Sequence, residues 1–314
     1  MVEGDRNTKF FHTSTIVRRK LNRIYRLQNS MGEWVEDRDQ LMTLIQKGYS
    51  DLFTTSHTSS CRLSVPPCAL SLSDLETQNL DTPLSIEEIK SSLWSLKPFK
   101  APSPDGPHPG FFQRCWHIVS DSVVKEVSHI FNCGKMPPYL NKTLISLIPK
   151  CVGPESLSQF RPISLCNTVY KIVTKSIVAR IRPLLSNLIS PFQAAFVPGR
   201  RGIDNVIIAQ ELIHSLHKKK GAKGSFVVKI DLEKAYDRLE WSFIREVLLF
   251  FNFPKNLVRL IMDCVSSSTI SILFNGGRMN EFSPSRGIRQ GDPLSPYLFI
   301  LCMEYLSLRI FEAC

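Results

Sequence analysis

The sequence lacks the features of several protein classes. It has no run of 18 or more apolar residues, and its first residues, MVEGDRNTKFFH, have the pattern of neither a signal peptide nor a transit peptide. We therefore expect no membrane partner. We also expect an intracellular location, nuclear and/or cytoplasmic, which the cysteines support. The nine cysteines include no CxxC pair and the seven histidines no HxxxH pair, which indicates reduced thiols and no zinc site.

Acidic residues are the scarcer charged class. The 314 residues contain 28 Asp and Glu against 39 Lys and Arg, for a net charge of +11. Such an excess favours a polyanionic partner, most often nucleic acid. Part of it lies in residues 5–29, where basic and apolar residues interleave at helical spacing. That segment is either a solvated helix face or a nucleic-acid contact.

The stretch Ser225–Trp241, SFVVKIDLEKAYDRLEW, predicts a central strand followed by a charged helix start. Residues alternate faces along a strand, so Phe226, Val228 and Ile230 share one face. Asp231 comes where the strand ends, and its carboxylate can point into a cleft. An Asp that caps a helix after a buried strand would give the same pattern.

The remaining elements mix helices and strands irregularly, which predicts an α+β fold with an antiparallel sheet. Two hairpins are expected, one from Thr143–Pro149 and Phe160–Leu165, the other across Asn275-Gly276-Gly277 between 270–274 and 278–282. A Ser-, Thr- and Pro-rich stretch over 54–68 predicts a linker. We expect a basic N-terminal extension over residues 1–68 and a main domain over 69–314.

A second stretch, Arg286–Pro296, reads RGIRQGDPLSP. Together with the stretch around Asp231 it resembles the reverse transcriptases of non-LTR (LINE-type) retrotransposons, of the sort abundant in plant genomes. The two stretches look like the family's motifs A and B, in the family's order. Lys100–Gly106, KAPSPDG, is similar to a family segment that precedes the fingers, with Ser103 where Gly is usual. The resemblance covers nearly the whole chain.

The resemblance implies the fingers and part of the palm of a right-hand polymerase. It implies RNA-directed DNA polymerase activity, with dNTPs, an RNA template and an RNA–DNA hybrid as partners, and target DNA in a full-length element. A non-catalytic nucleic-acid-binding relic of such an element is the alternative. A third reading, a nucleotide-binding α/β protein, ranks lower because no glycine-rich phosphate loop follows any strand.

The resemblance also implies roles for the acidic end of motif A. Asp231 would be the catalytic metal ligand, joined by the backbone carbonyl of Leu232, with Mg²⁺ as the cofactor and Mn²⁺ as a substitute. Tyr236 matches the position whose ring excludes a ribose 2′-hydroxyl. A half-buried core tyrosine is the alternative interpretation of Tyr236, and without the second stretch it would be the favoured one.

Other residues would contact the nucleotide or the nucleic acid. By the same resemblance, Arg161 and Lys150 would hold the triphosphate. Arginine suits this role because a guanidinium makes bidentate bonds to phosphate oxygens. An ordinary hairpin with exposed cations is the competing interpretation. Gln290 and Gly291 would lie under the incoming base. The arginines expected at nucleic acid are Arg200, Arg201, Arg286 and Arg289, although a surface turn explains Arg200 and Arg201 almost as well.

The family's motif C, an aromatic-x-Asp-Asp hairpin, supplies further metal carboxylates. This sequence has no Asp-Asp pair, and after Asp292 its acidic residues are Glu304 and Glu312. Because Asp231 alone cannot hold two divalent cations, we expect the 314-residue chain by itself not to polymerise DNA. We also expect Asp231 and Gln290 to face the same cleft.

Overall fold

The computed structural model describes residues 7–55, 70–219 and 226–313. Within these ranges the α+β class predicted from the sequence is confirmed. Short 3₁₀ turns cover Leu157–Gln159 and Arg182–Leu184. The helices are α1 (Lys9–Leu21), α2 (Arg38–Leu52), α3 (Asp74–Leu80), α4 (Ile86–Trp94), α5 (Pro109–Arg114), α6 (Trp116–Cys133), α7 (Thr168–Ile181), α8 (Leu185–Leu188), α9 (Gly202–Lys218), α10 (Ala235–Arg238), α11 (Trp241–Phe250), α12 (Lys255–Ser266) and α13 (Ser295–Ala313).

Two sheets accompany the helices. A small antiparallel pair joins β1 (Leu27–Gln28) to β2 (Trp34–Val35). The main sheet has the order β4-β3-β5-β6, from the strands β3 (Lys142–Pro149), β4 (Phe160–Cys166), β5 (Thr269–Phe274) and β6 (Gly277–Arg278).

Both predicted hairpins are confirmed, because β3–β4 and β5–β6 pair antiparallel. Asn275 and Gly276 take the positive φ angles, 49° and 91°, that a tight hairpin turn requires. The neighbours β3 and β5 pair parallel, so the sheet is mixed rather than wholly antiparallel. A parallel pair needs a long crossover connection, and here α7 to α12 lie between the two strands.

The apolar side chains form two cores. The larger one is helical and gathers residues such as Ile89 of α4, Ile177 of α7 and Ile261 of α12. The second core packs α2 against the sheet, with Ile45 beside Ile145 and Ile272. The segment before residue 54 therefore shares a core with strands far along the chain, while most of the predicted linker lies outside the described residues.

Local sequence explains where several helices begin and end. Ser85 and Glu88 form a capping box at α4, in which the serine hydroxyl accepts from the Glu88 N–H and the glutamate accepts from the Ser85 N–H. Gly134 ends α6 with φ of 65°, a left-handed conformation that glycine adopts without the Cβ penalty. No helix among the described residues is long and apolar enough to cross a membrane.

The prediction of a central strand before Asp231 is wrong. Residues 226–232 make no strand pairing with any described residue, and Phe226, Val228 and Ile230 are 88%, 66% and 66% exposed. A strand needs a neighbouring strand to satisfy the hydrogen bonds of its backbone N–H and C=O groups. The outer edge of β4 is already bridged by Gln290, whose carbonyl oxygen accepts from the Ser164 N–H at 2.7 Å. The other outer strand, β6, has two residues.

Arg180 of α7 ties the segment around α3 and α4 to the helical core. Its Nε and Nη2 donate to the two carboxylate oxygens of Glu88 at 2.8 and 3.0 Å, and its other N–H groups reach the carbonyl oxygens of Thr82 and Pro83 at 2.5 and 2.9 Å. The hydrogen bond from Arg180, ahead of the Ser85 backbone bond, lowers the pKa of the Glu88 carboxyl, against a smaller opposing effect of burial.

Replacing Glu88 by glutamine should therefore remove a pH-dependent part of the stability. Because the folded pKa is lowered, the contribution is present above the ordinary carboxyl pKa of about 4.3 and disappears as pH falls through the lowered pKa. Screening of this partly exposed pair limits it to about 1 kcal/mol. Unfolding by urea at pH 7 and pH 3.5 measures it, with Glu87→Gln, an exposed neighbour, as the control. Equal losses for both variants would contradict the role of Arg180.

Candidate active site

A cleft of about 570 Å³ lies where α2, the β3–β4 hairpin and the two motif segments meet. It brings together residues that are far apart in sequence, including Lys150, Arg161, Asp231 and Gln290. The expectation that Asp231 and Gln290 face one cleft is therefore met. The complete lining is Gly48, Tyr49, Leu52, Lys150, Leu157, Ser158, Phe160, Arg161, Pro162, Asp231, Leu232, Glu233, Lys234, Asp237 and Gln290.

Backbone hydrogen bonds join the segment after Asp231 to the segment before Gln290. The N–H groups of Gly287 and Ile288 donate to the carbonyl oxygens of Leu239 and Tyr236, each at 2.8 Å. The contact is close because Gly287 has no side chain: a Cβ there would lie 2.6 Å from the carbonyl oxygen of Asp237. Motif A and motif B are thus one packed unit rather than two separate loops.

The motif B segment is also fixed to the sheet. Besides the Ser164–Gln290 backbone bond, the next residue, Gly291, has φ of 112° and stands against β4. A Cβ on Gly291 would lie 2.8 Å from the carbonyl oxygen of Ser164. Glycine is required here by both backbone conformation and space.

The two cations of the β3–β4 hairpin differ in their freedom. Arg161 pairs in register with Ile148, and its exposed guanidinium has no hydrogen-bond or ion-pair partner within the described ranges. Lys150 is held by its Nζ, which donates to the Ser158 carbonyl oxygen at 2.8 Å. The exposed guanidinium of Arg161 and the hydrogen-bonded ammonium of Lys150 lie on one wall of the cleft. Together they could bind an anion with several oxygens.

The acidic side chains of the cleft lie in different environments. Asp231 is exposed and has no partner among residues 7–55, 70–219 and 226–313, whereas Glu233 lies 3.7 Å from Arg238. Asp237 is 3% exposed and accepts from Gln290 Nε2 at 2.9 Å. Burial raises the pKa of the Asp237 carboxyl, and the Gln290 hydrogen bond and the charge of Lys234 partly oppose it.

Sequence reasoning missed both Asp237 and Tyr49 as members of the site. Asp237 follows Tyr236 directly, but nothing local shows that a carboxylate on a four-residue helix meets Gln290. Tyr49 of α2 has a buried hydroxyl with no hydrogen-bond partner in the described part of the chain. Burial, followed by the charge of Asp237, raises the pKa of Tyr49. Its helical spacing with Leu41 and Ile45 signalled only a core position.

Tyr236 does not line the cleft in this structure. Its half-buried ring stacks on Phe299 of α13, with ring centroids 4.8 Å apart and planes at 26°. Burial raises the pKa of its hydroxyl. The backbone of Tyr236 nevertheless holds motif B through Ile288, so the residue stands beside the cleft rather than over it.

Three of the four arginines expected at nucleic acid make structural contacts instead. Arg289 is 8% exposed, and the Arg286 side chain is 15% exposed, with its Nε donating to the Leu52 carbonyl oxygen at 3.0 Å. Arg200 caps a turn by donating to the carbonyl oxygens of Ser190, Ile189 and Gln193. Arg201, at the start of α9, stays exposed.

Arg289 is the most enclosed of these cations. Both branches of its guanidinium are used inside the protein, so it has no free face for a phosphate. Its partners are the Asn141 Oδ1 (2.8 Å), the Thr143 Oγ1 (2.9 Å), the Cys264 carbonyl oxygen (2.8 Å), the hydroxyl of Tyr170, and the carboxylate of Asp292 (3.5 Å). The RGIRQGDPLSP pattern identifies Arg289 as a motif residue, but it does not show that the side chain is buried.

The described residues do not by themselves complete a metal site. Across residues 7–55, 70–219 and 226–313 no group of three or more His, Cys, Asp and Glu side chains could hold a metal ion. Asp231 offers one free carboxylate, and the Asp237 carboxylate is already hydrogen-bonded to Gln290. Hard divalent cations need several oxygen ligands, so this part of the chain supplies a fraction of a coordination shell.

Comparison with known proteins gives matches over most of the chain. A model of the reverse transcriptase (RNA-dependent DNA polymerase) family matches residues 148–314, more than half of the chain and most of the cleft. The chain is 28% identical over 306 residues to the transposon TX1 uncharacterized 149 kDa protein of Xenopus laevis, covering 97% of this chain and 23% of that protein.

Two further relatives carry element names. One is the retrovirus-related Pol polyprotein from type-2 retrotransposable element R2DM of Drosophila melanogaster, 28% identical over 220 residues, 70% of this chain and 20% of that protein. The other is the RNA-directed DNA polymerase from mobile element jockey of Drosophila funebris, 24% identical over 226 residues, 69% and 24%. The chain thus spans about a quarter or less of each of these relatives' lengths. It belongs to the reverse transcriptase (RNA-dependent DNA polymerase) family and is related to the family's LINE-type, non-LTR retrotransposon members.

Proposed function

We propose that the chain is the fingers and part of the palm of an RNA-directed DNA polymerase, and that its cleft binds the incoming dNTP opposite an RNA template. One observation carries the proposal: three segments that are distant in sequence, the β3–β4 hairpin, motif A and motif B, bring Lys150, Arg161, Asp231 and Gln290 to one cleft. The fold alone does not require these charged side chains in one cleft, so their convergence indicates a ligand.

Each residue has a role that follows from its contacts. Arg161, which is unpaired within the described ranges, takes two oxygens of the triphosphate through its planar fork. Lys150, held by Ser158, adds a point charge at the same end. Gln290, fixed to β4 through its backbone, faces the base or sugar, and the Gly291 turn keeps that backbone in place.

Asp231 and the carbonyl of Leu232 are the groups that we assign to a divalent cation, Mg²⁺ or Mn²⁺, which in polymerases activates the attacking hydroxyl and stabilises the leaving group. The described residues do not complete its shell, so the role of Asp231 is limited to contributing one carboxylate. RNA template, RNA–DNA hybrid and target DNA are the proposed macromolecular partners, supported by the net charge of +11.

The cleft proposal predicts measurable nucleotide binding. Titration of the 314-residue chain with a fluorescent dNTP should show saturable binding that Arg161→Ala weakens by roughly 10- to 100-fold, as expected for lost hydrogen bonds to a charged group. Arg245→Ala, an exposed arginine of α11 outside the cleft, is the control and should bind as the parent does. Equal affinity of Arg161→Ala and the parent chain would contradict the triphosphate role.

A second function is compatible with the partial metal shell that the described residues supply. A non-catalytic nucleic-acid-binding relic would keep salt-dependent affinity for RNA–DNA hybrid without nucleotide chemistry. The dNTP titration, run beside a hybrid-binding assay over a salt series, separates the two. Saturable dNTP binding that Arg161→Ala weakens supports the polymerase, whereas hybrid binding without saturable dNTP binding supports the relic.

A further inference from the structure

The side chain of Gln290 is oriented by a carboxylate that belongs to motif A. Gln290 Nε2 donates to Asp237 Oδ1 at 2.9 Å. A carboxamide has a donor end and an acceptor end, and an ionised carboxylate only accepts. Asp237 therefore selects the amino end of Gln290, and the carbonyl oxygen Oε1 must point away from it. Both residues line the cleft.

The two ends of this hydrogen bond are fixed independently. On one side, the Asp237 N–H donates to the Lys234 carbonyl oxygen at 2.9 Å, and its own carbonyl group stands against Gly287. On the other side, the Gln290 backbone is bonded to Ser164 of β4. With both backbones held by different elements, the side-chain bond decides which end of the carboxamide faces the cleft.

We propose that Asp237 is a positioning residue that acts through Gln290, turning the Gln290 carbonyl oxygen towards the cleft as a hydrogen-bond acceptor for an O–H or N–H donor of the bound nucleotide. This inference rests on the proposed function. It assigns Asp237 a role different from that of Asp231: one carboxylate is free and exposed, and the other is 3% exposed and already paired. A buried, paired carboxylate is suited to orienting a neighbour.

A double-mutant cycle separates positioning from an independent effect of Asp237. Asp237→Leu keeps the branched shape of the side chain but replaces both acceptor oxygens with larger methyl groups, and should weaken dNTP binding as much as Gln290→Ala does, by roughly 5- to 30-fold, as expected for a lost hydrogen bond whose partner stays unpaired. In the Gln290→Ala background, Asp237→Leu should add little further loss. Asp237→Asn keeps an acceptor oxygen and should retain affinity within about threefold.

A spectroscopic readout tests the orientation without nucleotide. The side-chain amide signal of Gln290 in ¹⁵N-labelled protein, identified by its loss in Gln290→Ala, should shift in Asp237→Leu and stay near its parent position in Asp237→Asn. If Asp237→Leu does not fold, the comparison of Asp237→Asn with Asp237→Ser serves the same purpose, because the shorter serine cannot reach the amide.

The outcomes are distinct. If the affinity losses of the two single variants multiply in the double variant, the positioning role is overturned. It is also overturned if Asp237→Asn binds dNTP as weakly as Asp237→Leu. Either result would indicate that the charge of Asp237 acts directly. Binding that is lost in Arg161→Ala and unchanged in Asp237→Leu would overturn this inference alone. No saturable dNTP binding by the parent chain would overturn the proposed function and the inference together.

Discussion

Replacing Arg289 with methionine should lower the free energy of unfolding by about 3–5 kcal/mol, the range for breaking a buried ion pair by removing one partner. The variant would leave the Asp292 carboxylate, 4% exposed, without its cation and would strip hydrogen bonds from Asn141 and Thr143. It would also remove the guanidinium that stacks 4.2 Å from the Tyr170 ring centroid. Urea unfolding monitored by circular dichroism measures the loss.

The matched control is Arg201→Met, which removes an exposed arginine and should change stability by less than about 0.5 kcal/mol. The pair also tests where nucleic acid binds. Loss of one phosphate contact reduces the slope of affinity against salt concentration by about one. That reduction is expected for Arg201→Met if α9 contacts nucleic acid. A small stability loss with a reduced slope in Arg289→Met would show that Arg289 faces the nucleic acid after all.

Gly291→Ala should cost about 2–4 kcal/mol of stability and reduce dNTP binding strongly. The added Cβ would meet the Ser164 carbonyl oxygen at 2.8 Å. The positive φ of 112° adds about 1–2 kcal/mol of strain in an L residue. Relief requires the backbone to move away from β4, which breaks the Ser164–Gln290 bond and displaces Gln290 from the cleft.

Gly153→Ala is the control for this substitution. Gly153 has φ of 67° but nothing within 4 Å of its Cβ position, so its variant should show the conformational strain of about 1 kcal/mol without the contact. Unfolding free energies and dNTP titrations of the two variants isolate the steric effect. Identical stability losses in both would mean that β4 yields to the new methyl group and that the motif B turn is not held as tightly as we infer.

Local sequence patterns predicted the elements whose causes are local. The Asn275-Gly276-Gly277 turn specified the β5–β6 hairpin, and the strand patterns of Thr143–Pro149 and Phe160–Leu165 specified the β3–β4 hairpin. The shared cleft of Asp231 and Gln290 was also foreseen, because the two motif segments occur in the order known for one family. In each case the signal lies within a few residues or within a recognised motif.

Other features depend on contacts that no local pattern contains. Phe226–Ile230 has the composition of a strand, but pairing depends on a free sheet edge, and Gln290 occupies the one at Ser164. Arg289 and Arg201 are both arginines in basic or glycine-containing turns, yet one is buried among polar partners and the other is exposed. Asp237 gains its role only because motif B folds back onto it.

Two hydrogen bonds between Asn275 and Ile24 join parts of the chain that are synthesised at different times. The Asn275 side chain accepts from the Ile24 N–H at 2.9 Å and donates to the Ile24 carbonyl oxygen at 2.8 Å, across 251 residues of sequence. In the same core, Ile45 of α2 packs with Ile272. A ribosome releases the N-terminus first, so α2 emerges long before its β5 partners exist. Until β5 is synthesised, part of the apolar face of α2 has nothing to pack against, which is when a nascent chain most readily associates with chaperones or with itself.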